Sequence, residues 1–373
     1  MKIVTAIDSF KGSMTSIEAG RAAKKGILAA HPDAQVIIKP LADGGEGTTD
    51  ALIEGLNGKR IPLTVTGPFG DPISCYYGYL PETSTAVIEM AAAAGITLSD
   101  RHDPLTATTR GVGEIILDAV RRGCRDFIIG IGGSATNDGG IGMLSALGFS
   151  FLSENGSDAG EGGQALGKVC SVDISGQDPR LKDCRFRVAC DVTNPLCGKN
   201  GATYIYGPQK GVTEDMKEPL DQAMSHYARV CASFLGKDCS LAEGAGAAGG
   251  LGFAFLSFLN ARLIPGTSLI LEAVGLEEEL KDADIVITGE GRLDHQTAMG
   301  KAPVGVASLA KKYGAKVIAF AGSVTADATA CNDAGIDAFF PIVRGVTTLE
   351  EAMDPANARA NLAACAEQVF RLL

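Results

Sequence analysis

The stretch DIVITGEGRLDHQTAMGKAP, residues 284–303, decides the class of fold. Its branched apolar start predicts a buried strand over residues 284–288, and a helix is expected to begin near Gly300. Charged residues separated by glycines lie between the two. In open α/β sheets, ligands bind beyond the carboxyl ends of the strands, where helix N-termini favour anions. The stretch therefore predicts a strand, loop and helix unit of a ligand-binding parallel sheet.

The same pattern occurs at both ends of the chain. KIVTAI at residues 2–7 is followed by DSFKGSM and by a helix whose start carries the capping-box pair Thr15 and Glu18. Further strands of this kind are AQVIIKPL at 34–41, AKVIAFAGSV at 315–324 and IDAFFPIV at 336–343. These segments predict an α/β protein with a doubly wound, mostly parallel, Rossmann-like sheet formed by residues 1–64 and 283–373.

The middle of the chain has a different pattern. GPFGDPISCYYGYL at 67–80 and TSTAVIEMA at 83–91 are typical of paired antiparallel strands with Gly and Pro turns. Further strands are expected in RDFIIGIGG at 125–133, RFRVACDV at 185–192 and GATYIYG at 201–207, with helices near 113–122, 140–147 and 213–235. We therefore predict an inserted α/β domain with a mixed sheet over residues 65–282.

Length and composition narrow the class of protein. A chain of 373 residues exceeds the size at which one hydrophobic core usually stops growing, so two domains are expected. The net charge of −11 disfavours nucleic acid as a partner. Ten cysteines without a Cys-x-x-Cys pair indicate free thiols in a reducing cytosol. The start MKIVTAIDSF is too short and too soon charged for a signal peptide, and no apolar run is long enough for a membrane span. A cytoplasmic protein is expected.

Four loops share one design, in which polar side chains stand among glycines directly after an apolar strand. One such loop is usually a plain turn, but four in one chain favour ligand binding. The loops are DSFKGS at 8–13, ADGGEGT at 42–48, GIGGSATNDGG at 130–140 and TGEGRLDHQT at 288–297.

The third loop is the best candidate for phosphate binding. Gly132, Gly133, Ser134 and Thr136 could offer N–H and hydroxyl donors to a phosphate where a helix begins. Glycines that allow close packing of a helix start are the alternative. Asn137 and Asp138 fit helix N-caps as well as they fit ligand contacts.

Other polar and charged residues each admit two interpretations. Asp191 and Asn194 follow a strand and suit a magnesium ion or its waters, although an ordinary turn before a proline has the same residues. Lys11 could touch a phosphate or a carboxylate, or it could be solvated. Glu290, Arg292 and Asp294 could serve a ligand or form a structural ion-pair network.

Two further segments match nucleotide-binding motifs, but the matches are weaker evidence than the four loops. GGQALGKV at 162–169 resembles a Walker A loop, but Val169 stands where the magnesium-binding Ser or Thr belongs. GAGAAG at 244–249, with Glu272 further on, has the spacing of a dinucleotide site, yet KDCSLAE before it is no apolar strand. A helix start whose glycines allow close packing explains this segment better. An NAD-dependent hydroxy-acid dehydrogenase stays as an alternative function.

Taken in order, eight motifs resemble the type 1 glycerate kinases over nearly the whole chain. Such a set is far more specific than any single glycine cluster. The motifs are AIDSFKGSM, PLADGGEGT, AVIEMAAAAGI, PLTATTRGVGE, IGIGGSATNDGGIGML, CDVTNPLCG, GAGAAGGLG and ITGEGRLDHQTAMGKAPVGVA. The resemblance implies phosphorylation of D-glycerate to 2-phosphoglycerate with ATP and Mg²⁺, in a two-domain α/β protein whose active site lies in the cleft between the domains.

This activity suggests a role for each candidate residue. The loop from Gly132 to Asn137 would hold the nucleotide phosphates, and Asp191 with Asn194 would position Mg²⁺. Phosphoryl transfer depends on positioning and charge neutralisation, so Lys11 would offset charge on the moving group.

The substrate side has its own set of residues. Asp294 would accept the hydroxyl proton, with Asp191 as the next candidate for this base. Arg292 would pair with the glycerate carboxylate, and Asp43 and Glu46 would contact the glycerate hydroxyls or magnesium. A non-catalytic sensor of small acids is a further alternative, and a homodimer is compatible with the sequence.

Overall fold

The computed structural model describes residues 1–373, and the chain divides into two compact units. Unit 1 comprises residues 1–43, 50–57 and 267–373, and unit 2 comprises residues 44–49 and 58–266. The domain ranges inferred from the sequence, 1–64 with 283–373 and 65–282, stay a prediction.

Both units contain strands and helices, as the sequence pattern predicts for an α/β protein. The strands are β1 (Lys2–Ile7), β2 (Gln35–Pro40), β3 (Lys59–Thr66), β4 (Pro72–Leu80), β5 (Thr85–Glu89), β6 (Asp126–Gly130), β7 (Ser150–Leu152), β8 (Ser171–Asp173), β9 (Arg185–Ala189), β10 (Arg262–Ile264), β11 (Ile285–Leu293), β12 (Lys316–Val324) and β13 (Ala338–Pro341).

The α-helices alternate with these strands along most of the chain. They are α1 (Ser16–Ala30), α2 (Thr48–Gly55), α3 (Ala91–Ala94), α4 (Arg110–Arg121), α5 (Ile141–Ala146), α6 (Ala202–Tyr206), α7 (Glu214–Leu235), α8 (Ala247–Phe258), α9 (Gly266–Ala273), α10 (Leu276–Leu280), α11 (His295–Ala298), α12 (Ala302–Lys311), α13 (Ala330–Asp333), α14 (Leu349–Met353) and α15 (Pro355–Phe370). None of the helices is long and apolar enough to span a membrane.

Unit 1 is built on a five-stranded sheet in the order β13-β12-β11-β1-β2, and all its strand pairs are parallel. Successive residues of a strand point to opposite faces. Ile3 and Ile285 belong to the apolar cluster that includes residues of α1 and α15, whereas α12 contacts β11 and β12. The predicted doubly wound parallel sheet is confirmed.

Unit 2 contains a six-stranded sheet in the order β10-β9-β6-β5-β4-β3. Strands β5, β6, β9 and β10 are parallel, while β3, β4 and β5 pair antiparallel. The mixed sheet and the antiparallel strands predicted within 67–91 are therefore confirmed. A large apolar cluster that includes Tyr77, Phe127 and Phe255 fills this unit.

Two local predictions were wrong. GATYIYG at 201–207 is not a strand, because α6 forms over Ala202–Tyr206 and packs against α7 and α8. Its β-branched and aromatic residues favour strands, but tertiary packing overrides this weak preference. The strand expected to end at 288 continues as β11 to Leu293, because β12 extends alongside it and pairs with Arg292 and Leu293.

Candidate functional site

The sheet of unit 1 changes its winding direction at β1. The chain continues from β1 to β2 on one side, while β11 lies on the other side of β1. A switch point of this kind leaves a crevice beyond the carboxyl ends of the strands. Asp8 follows β1, Asp43 lies shortly after β2, and Glu290 and Arg292 lie in the carboxyl half of β11. The topology therefore collects these side chains at one edge of the sheet.

A cavity of about 690 Å³ lies at this edge of unit 1, within the size range of small-molecule sites. One part of its wall is charged and the other is apolar. The charged lining residues are Asp8, Lys11, Asp43, Glu290, Arg292, Asp294 and Lys301. The apolar lining includes Phe10, Ile342, Val343, Leu349 and Met353. We call this cavity the switch-point pocket.

Asp294 has a fixed orientation in the switch-point pocket. It is the N-cap of α11, and its carboxylate accepts a hydrogen bond from the N–H of Thr297 at 3.2 Å. Arg292 Nε lies 3.5 Å from one carboxylate oxygen, and Lys301 Nζ lies 3.7 Å from the other. The hydroxyl of Thr297 donates to Glu290 at 2.6 Å. The carboxylate of Asp294 is therefore held between two cations.

Two other carboxyl groups in the pocket hold protons more tightly than usual. Burial, with a contribution from the negative charges of Asp43 and Glu290, raises the pKa of Asp8 to about 7. Burial also raises the pKa of Glu290, although the hydrogen bond from Thr297 opposes this. A carboxylate whose pKa lies near the working pH is suited to proton transfer. Asp8, which the sequence analysis did not name as a site residue, is thus a candidate for proton transfer, whereas Glu290 was named there as a ligand contact or part of an ion-pair network.

The charges of the pocket suit a small anionic substrate that also carries hydroxyl groups. Lys11 and Arg292 are exposed cations, so each can contact a carboxylate or phosphoryl oxygen. The carboxylates can accept hydrogen bonds from hydroxyl groups or take up a proton. The hydroxyl of Ser13, which also lines the pocket, is buried and has no hydrogen-bond partner. It offers one more polar contact to a ligand, because buried polar atoms usually have a partner.

The predicted phosphate loop lies in unit 2, directly after β6. Gly132 and Gly133 are exposed, whereas Ser134, Thr136 and Asn137 are buried. The N–H of Ala135 donates to the carbonyl of Ala94 at 2.9 Å, which ties the loop to α3. Thr136 Oγ1 and Asn137 Oδ1 are buried without a hydrogen-bond partner. The loop therefore keeps hydrogen-bonding capacity that the protein itself does not use.

The helix after this loop begins close to residue 140, as the sequence pattern predicts. Helix α5 starts at Ile141, beyond Thr136, and its six residues form less than two turns. The fully buried carboxylate of Asp138 accepts hydrogen bonds from the N–H of Gly140 at 3.1 Å and from the N–H and hydroxyl of Thr109 at 2.9 and 2.8 Å. Asp138 thus contacts residues at the start of α5, but the expectation that it is the N-cap was wrong, because Gly140 occupies that position without a side-chain cap.

A buried lysine that the sequence analysis did not identify supports the loop. Lys210 is 2% exposed, and its Nζ donates to Ser134 Oγ at 2.6 Å and to the carbonyl of Thr136 at 2.7 Å. Burial lowers the pKa of Lys210 to about 7, while the charge of Asp138 opposes this. The contacts join residues that are far apart in sequence, so no local motif indicates them.

The second glycine cluster packs against the same loop. Gly249 has φ +68°, and a Cβ at this position would lie 2.0 Å from the carbonyl oxygen of Thr136. The N–H of Gly139 donates to the carbonyl of Gly249 at 2.9 Å. No strand precedes the cluster, which leads into α8. The glycines therefore serve close packing, and the strand, loop and helix arrangement of a dinucleotide site is not formed here.

Asp191 and Asn194 lie after β9, which is the parallel neighbour of β6 in unit 2. Asp191 is exposed, and one of its carboxylate oxygens accepts a hydrogen bond from the N–H of Gly266 at 2.8 Å. Asn194 Oδ1 accepts from the hydroxyl of Tyr206 at 2.5 Å. The other carboxylate oxygen of Asp191 is thus the most suitable ligand atom for a hard cation at this position.

The structure contains no group of three or more His, Cys, Asp or Glu side chains arranged to hold a metal ion. In kinase sites, Mg²⁺ is usually held by one or two carboxylates together with substrate phosphates and waters. The exposed carboxylate of Asp191 fits that limited role, whereas the amide oxygen of Asn194 is already engaged.

The structure brings some of the predicted site residues together and leaves others apart. Lys11, Asp43, Arg292 and Asp294 share the switch-point pocket, but Glu46 is not part of its lining. The nucleotide candidates and the two magnesium candidates lie at the carboxyl ends of β6 and β9 in unit 2. Asp8 and Lys301 were missed as site residues, although Asp8 begins the first of the four polar, glycine-rich loops and Lys301 lies within the stretch 284–303.

Comparison with known proteins gives a consistent result. The Glycerate kinase family profile matches residues 3–373. The chain is 50% identical over 358 residues to a glycerate kinase of Bacillus subtilis (strain 168), covering 95% of this chain and 94% of that protein. It is also 50% identical over 354 residues to a glycerate 2-kinase of Escherichia coli (strain K12), covering 94% and 93% of the two chains.

A solved structure has the same fold. A crystal structure from Salmonella typhimurium LT2, described provisionally as glycerate kinase 2, superposes with a TM-score of 0.91 and is 46% identical. The match covers 99% of this chain and 97% of that one. The similarity thus extends over both units, including the switch-point pocket and the loop after β6. The chain belongs to the glycerate kinase family, a family of kinases, as its sequence motifs predict.

Proposed function

We propose that the protein transfers the γ-phosphoryl group of ATP to the 2-hydroxyl of D-glycerate and releases 2-phosphoglycerate and ADP. The observation that carries this proposal is Asp294, a carboxylate flanked by Arg292 and Lys301 in the switch-point pocket. A carboxylate oriented in this way can accept a proton while the nearby cations bind an anionic substrate. The family membership supports glycerate as that substrate.

Arg292 is the proposed partner of the glycerate carboxylate. Its guanidinium group is exposed at the end of β11, so it can form the two parallel hydrogen bonds that a carboxylate accepts. Asp43 would accept a hydrogen bond from a glycerate hydroxyl, because it lines the same pocket. Glu46, which lies in the loop that includes Asp43, would contact a glycerate hydroxyl or Mg²⁺.

The transfer itself requires one bond to form and one to break. The 2-hydroxyl oxygen bonds to the γ-phosphorus in line with the leaving oxygen, and the bond between the γ-phosphorus and the bridging oxygen of ADP breaks. Asp294 takes the hydroxyl proton. Lys11 would neutralise charge on the transferred group, since its side chain is exposed and lines the pocket.

We assign the nucleotide phosphates to the loop after β6. Gly132, Gly133, Ser134, Thr136 and Asn137 would hold the phosphates, an assignment supported by the exposed glycines and the unpartnered polar atoms of this loop.

Asp191, with Asn194 beside it, would hold Mg²⁺. The metal would supply charge neutralisation on the phosphate oxygens. Asp191 is also the second candidate for the proton acceptor. A cytoplasmic location and a homodimer are further parts of the proposal.

The position of phosphorylation comes from one relative. The E. coli protein is a glycerate 2-kinase, and its 50% identity to this chain supports the 2-hydroxyl as the acceptor. The net charge of −11 is consistent with a small-molecule substrate rather than nucleic acid.

Phosphorus NMR of a reaction with ATP, Mg²⁺ and D-glycerate tests the proposal. We expect the signals of ADP and 2-phosphoglycerate to appear together, and chelation of Mg²⁺ to stop the reaction until the metal is restored. A 3-phosphoglycerate product would contradict the proposed position. No transfer to glycerate in metal-replete buffer would overturn the proposed function.

A further inference from the structure

Lys210, like Asp138, is a fully buried charged side chain that the proposed reaction leaves without a role. It lies in a short 3-10 turn, residues 208–210, between α6 and α7 of unit 2. Its two acceptors are the hydroxyl of Ser134 and the carbonyl of Thr136, at 2.6 and 2.7 Å. Both acceptors belong to the loop after β6.

The surroundings of Lys210 indicate that it does not serve as an ion-pair partner. The charged group that faces it is Asp138, whose carboxylate accepts hydrogen bonds from Thr109, Gly140 and Gly142. Burial without a direct counter-ion lowers the pKa of Lys210 to about 7. An amine held in this way costs free energy of folding, which an apolar side chain of similar size would avoid.

The contacts of Lys210 hold the buried half of the loop. Ser134 immediately follows the exposed pair Gly132 and Gly133, so the position of its side chain influences how these glycines are presented. A second contact comes from the same region, because Asn137 Nδ2 donates to Thr203 Oγ1 at 3.0 Å. Residues 203–210 therefore support the loop from inside the unit.

We infer that Lys210 is a positioning residue for the nucleotide, because it fixes Ser134 and Thr136 so that the adjoining glycines can receive phosphate oxygens. This inference rests on the proposed function, which assigns the nucleotide phosphates to that loop. Lys210 touches neither the nucleotide nor glycerate in this role. It acts through the loop, so its loss changes nucleotide affinity while the glycerate pocket in unit 1 keeps its residues.

Titration calorimetry of a non-hydrolysable MgATP analogue tests this inference without turnover. We expect Lys210→Met to weaken binding about tenfold or more, since a buried hydrogen-bonding group lost from a loop contact has effects of this size. The KM for glycerate should change less than twofold. Lys217→Met is the matched control, because Lys217 lies in α7 of the same unit and contacts Glu214 rather than the loop.

Ser134→Ala is a second, independent test, because it keeps Lys210 and removes the hydroxyl that accepts one of its hydrogen bonds. We expect it to weaken analogue binding about threefold, and the double variant to be no weaker than Lys210→Met alone. Unchanged analogue binding in Ser134→Ala, or in a folded Lys210→Met protein, would overturn the inference and leave the proposed function intact. If the wild-type protein binds no nucleotide, both the inference and the proposed function are wrong.

Discussion

The sheets of the two units differ in how the chain winds through them. In unit 1 the order β13-β12-β11-β1-β2 reverses direction at β1, whereas in unit 2 the order β10-β9-β6-β5-β4-β3 follows the chain without a reversal. The reversal leaves a crevice at the carboxyl edge of unit 1, and the switch-point pocket occupies it. The same kind of polar, glycine-rich loop therefore has a different environment in each unit.

The charged side chains of the two units also differ, in their exposure and in their hydrogen-bond partners. In unit 1, Asp294 lies 3.5 and 3.7 Å from two cations that remain partly exposed, so its contacts can rearrange around a ligand. In unit 2, Asp138 and Lys210 are buried and satisfied by the protein itself. Topology thus separates charges that are available for chemistry from charges that maintain a loop.

The largest effect is expected at Asp294. Asp294→Asn should lower kcat by about a hundredfold to ten-thousandfold, because the amide cannot accept the hydroxyl proton. Steady-state kinetics with ATP and D-glycerate measure this. Asp327→Asn is the control, since Asp327 is an exposed carboxylate of the same unit outside the pocket lining. Near-normal turnover in Asp294→Asn, with both substrates bound, would show that another group is the base.

Replacing Asp138 should lower the stability of the protein more than replacing Asp126 of the same unit. Asp138→Asn should lower the free energy of unfolding by about 3 kcal/mol, because the new amide N–H groups face the donors of Thr109 and Gly142. Urea unfolding measures the change. The exposed pair of Asp126 with Arg185 provides the control, and Asp126→Asn should cost less than about 1 kcal/mol. Equal losses in the two variants would contradict the distinct role of the buried carboxylate.

The raised pKa of Asp8 predicts a pH effect on stability. Between its ordinary pKa of 3.8 and about 7, the folded protein holds this proton and the unfolded chain does not. The contribution to stability is therefore complete at low pH and is lost as the pH rises through about 7.

Asp8→Asn tests this, because asparagine mimics the protonated form. The variant should gain about 2 kcal/mol relative to the wild type between pH 5 and 8, as urea unfolding at each pH would measure. A constant difference between the two proteins over this range would mean that the pKa of Asp8 is not raised.

The smallest effect is expected from a change that keeps the charge. Arg292→Lys should raise the KM for glycerate about tenfold, because an ammonium group cannot form two parallel hydrogen bonds to a carboxylate. Arg21→Lys, at an exposed pair with Glu54, is the control. An unchanged KM for glycerate would indicate that Arg292 does not bind the carboxylate of the substrate.

The sequence allowed the fold class to be predicted because strand patterns are local. The parallel sheet of unit 1 and the antiparallel strands within 67–91 follow from apolar runs and Gly and Pro turns. The segment 201–207 was assigned wrongly, because its helix depends on packing against α7 and α8 that no local pattern encodes.

The candidate site was predictable only in part, for a related reason. Asp43 and Asp294 follow β2 and β11, Arg292 lies near the end of β11, and sheet topology brings the ends of neighbouring parallel strands together. Asp8 becomes notable through burial, which is a property of the folded pocket. Lys210 contacts Ser134 across 76 positions of sequence, so its role depends entirely on tertiary packing.

The length of β11 has a consequence for the entropy of substrate binding. Glu290 and Arg292 lie on a strand that stays paired with β12 as far as Leu293, so their backbone dihedral angles are fixed when the protein folds. A loop at this position would lose that freedom only when substrate binds, and the affinity would fall accordingly. Extending a strand by a few residues thus transfers an ordering cost from each catalytic cycle to a single folding event.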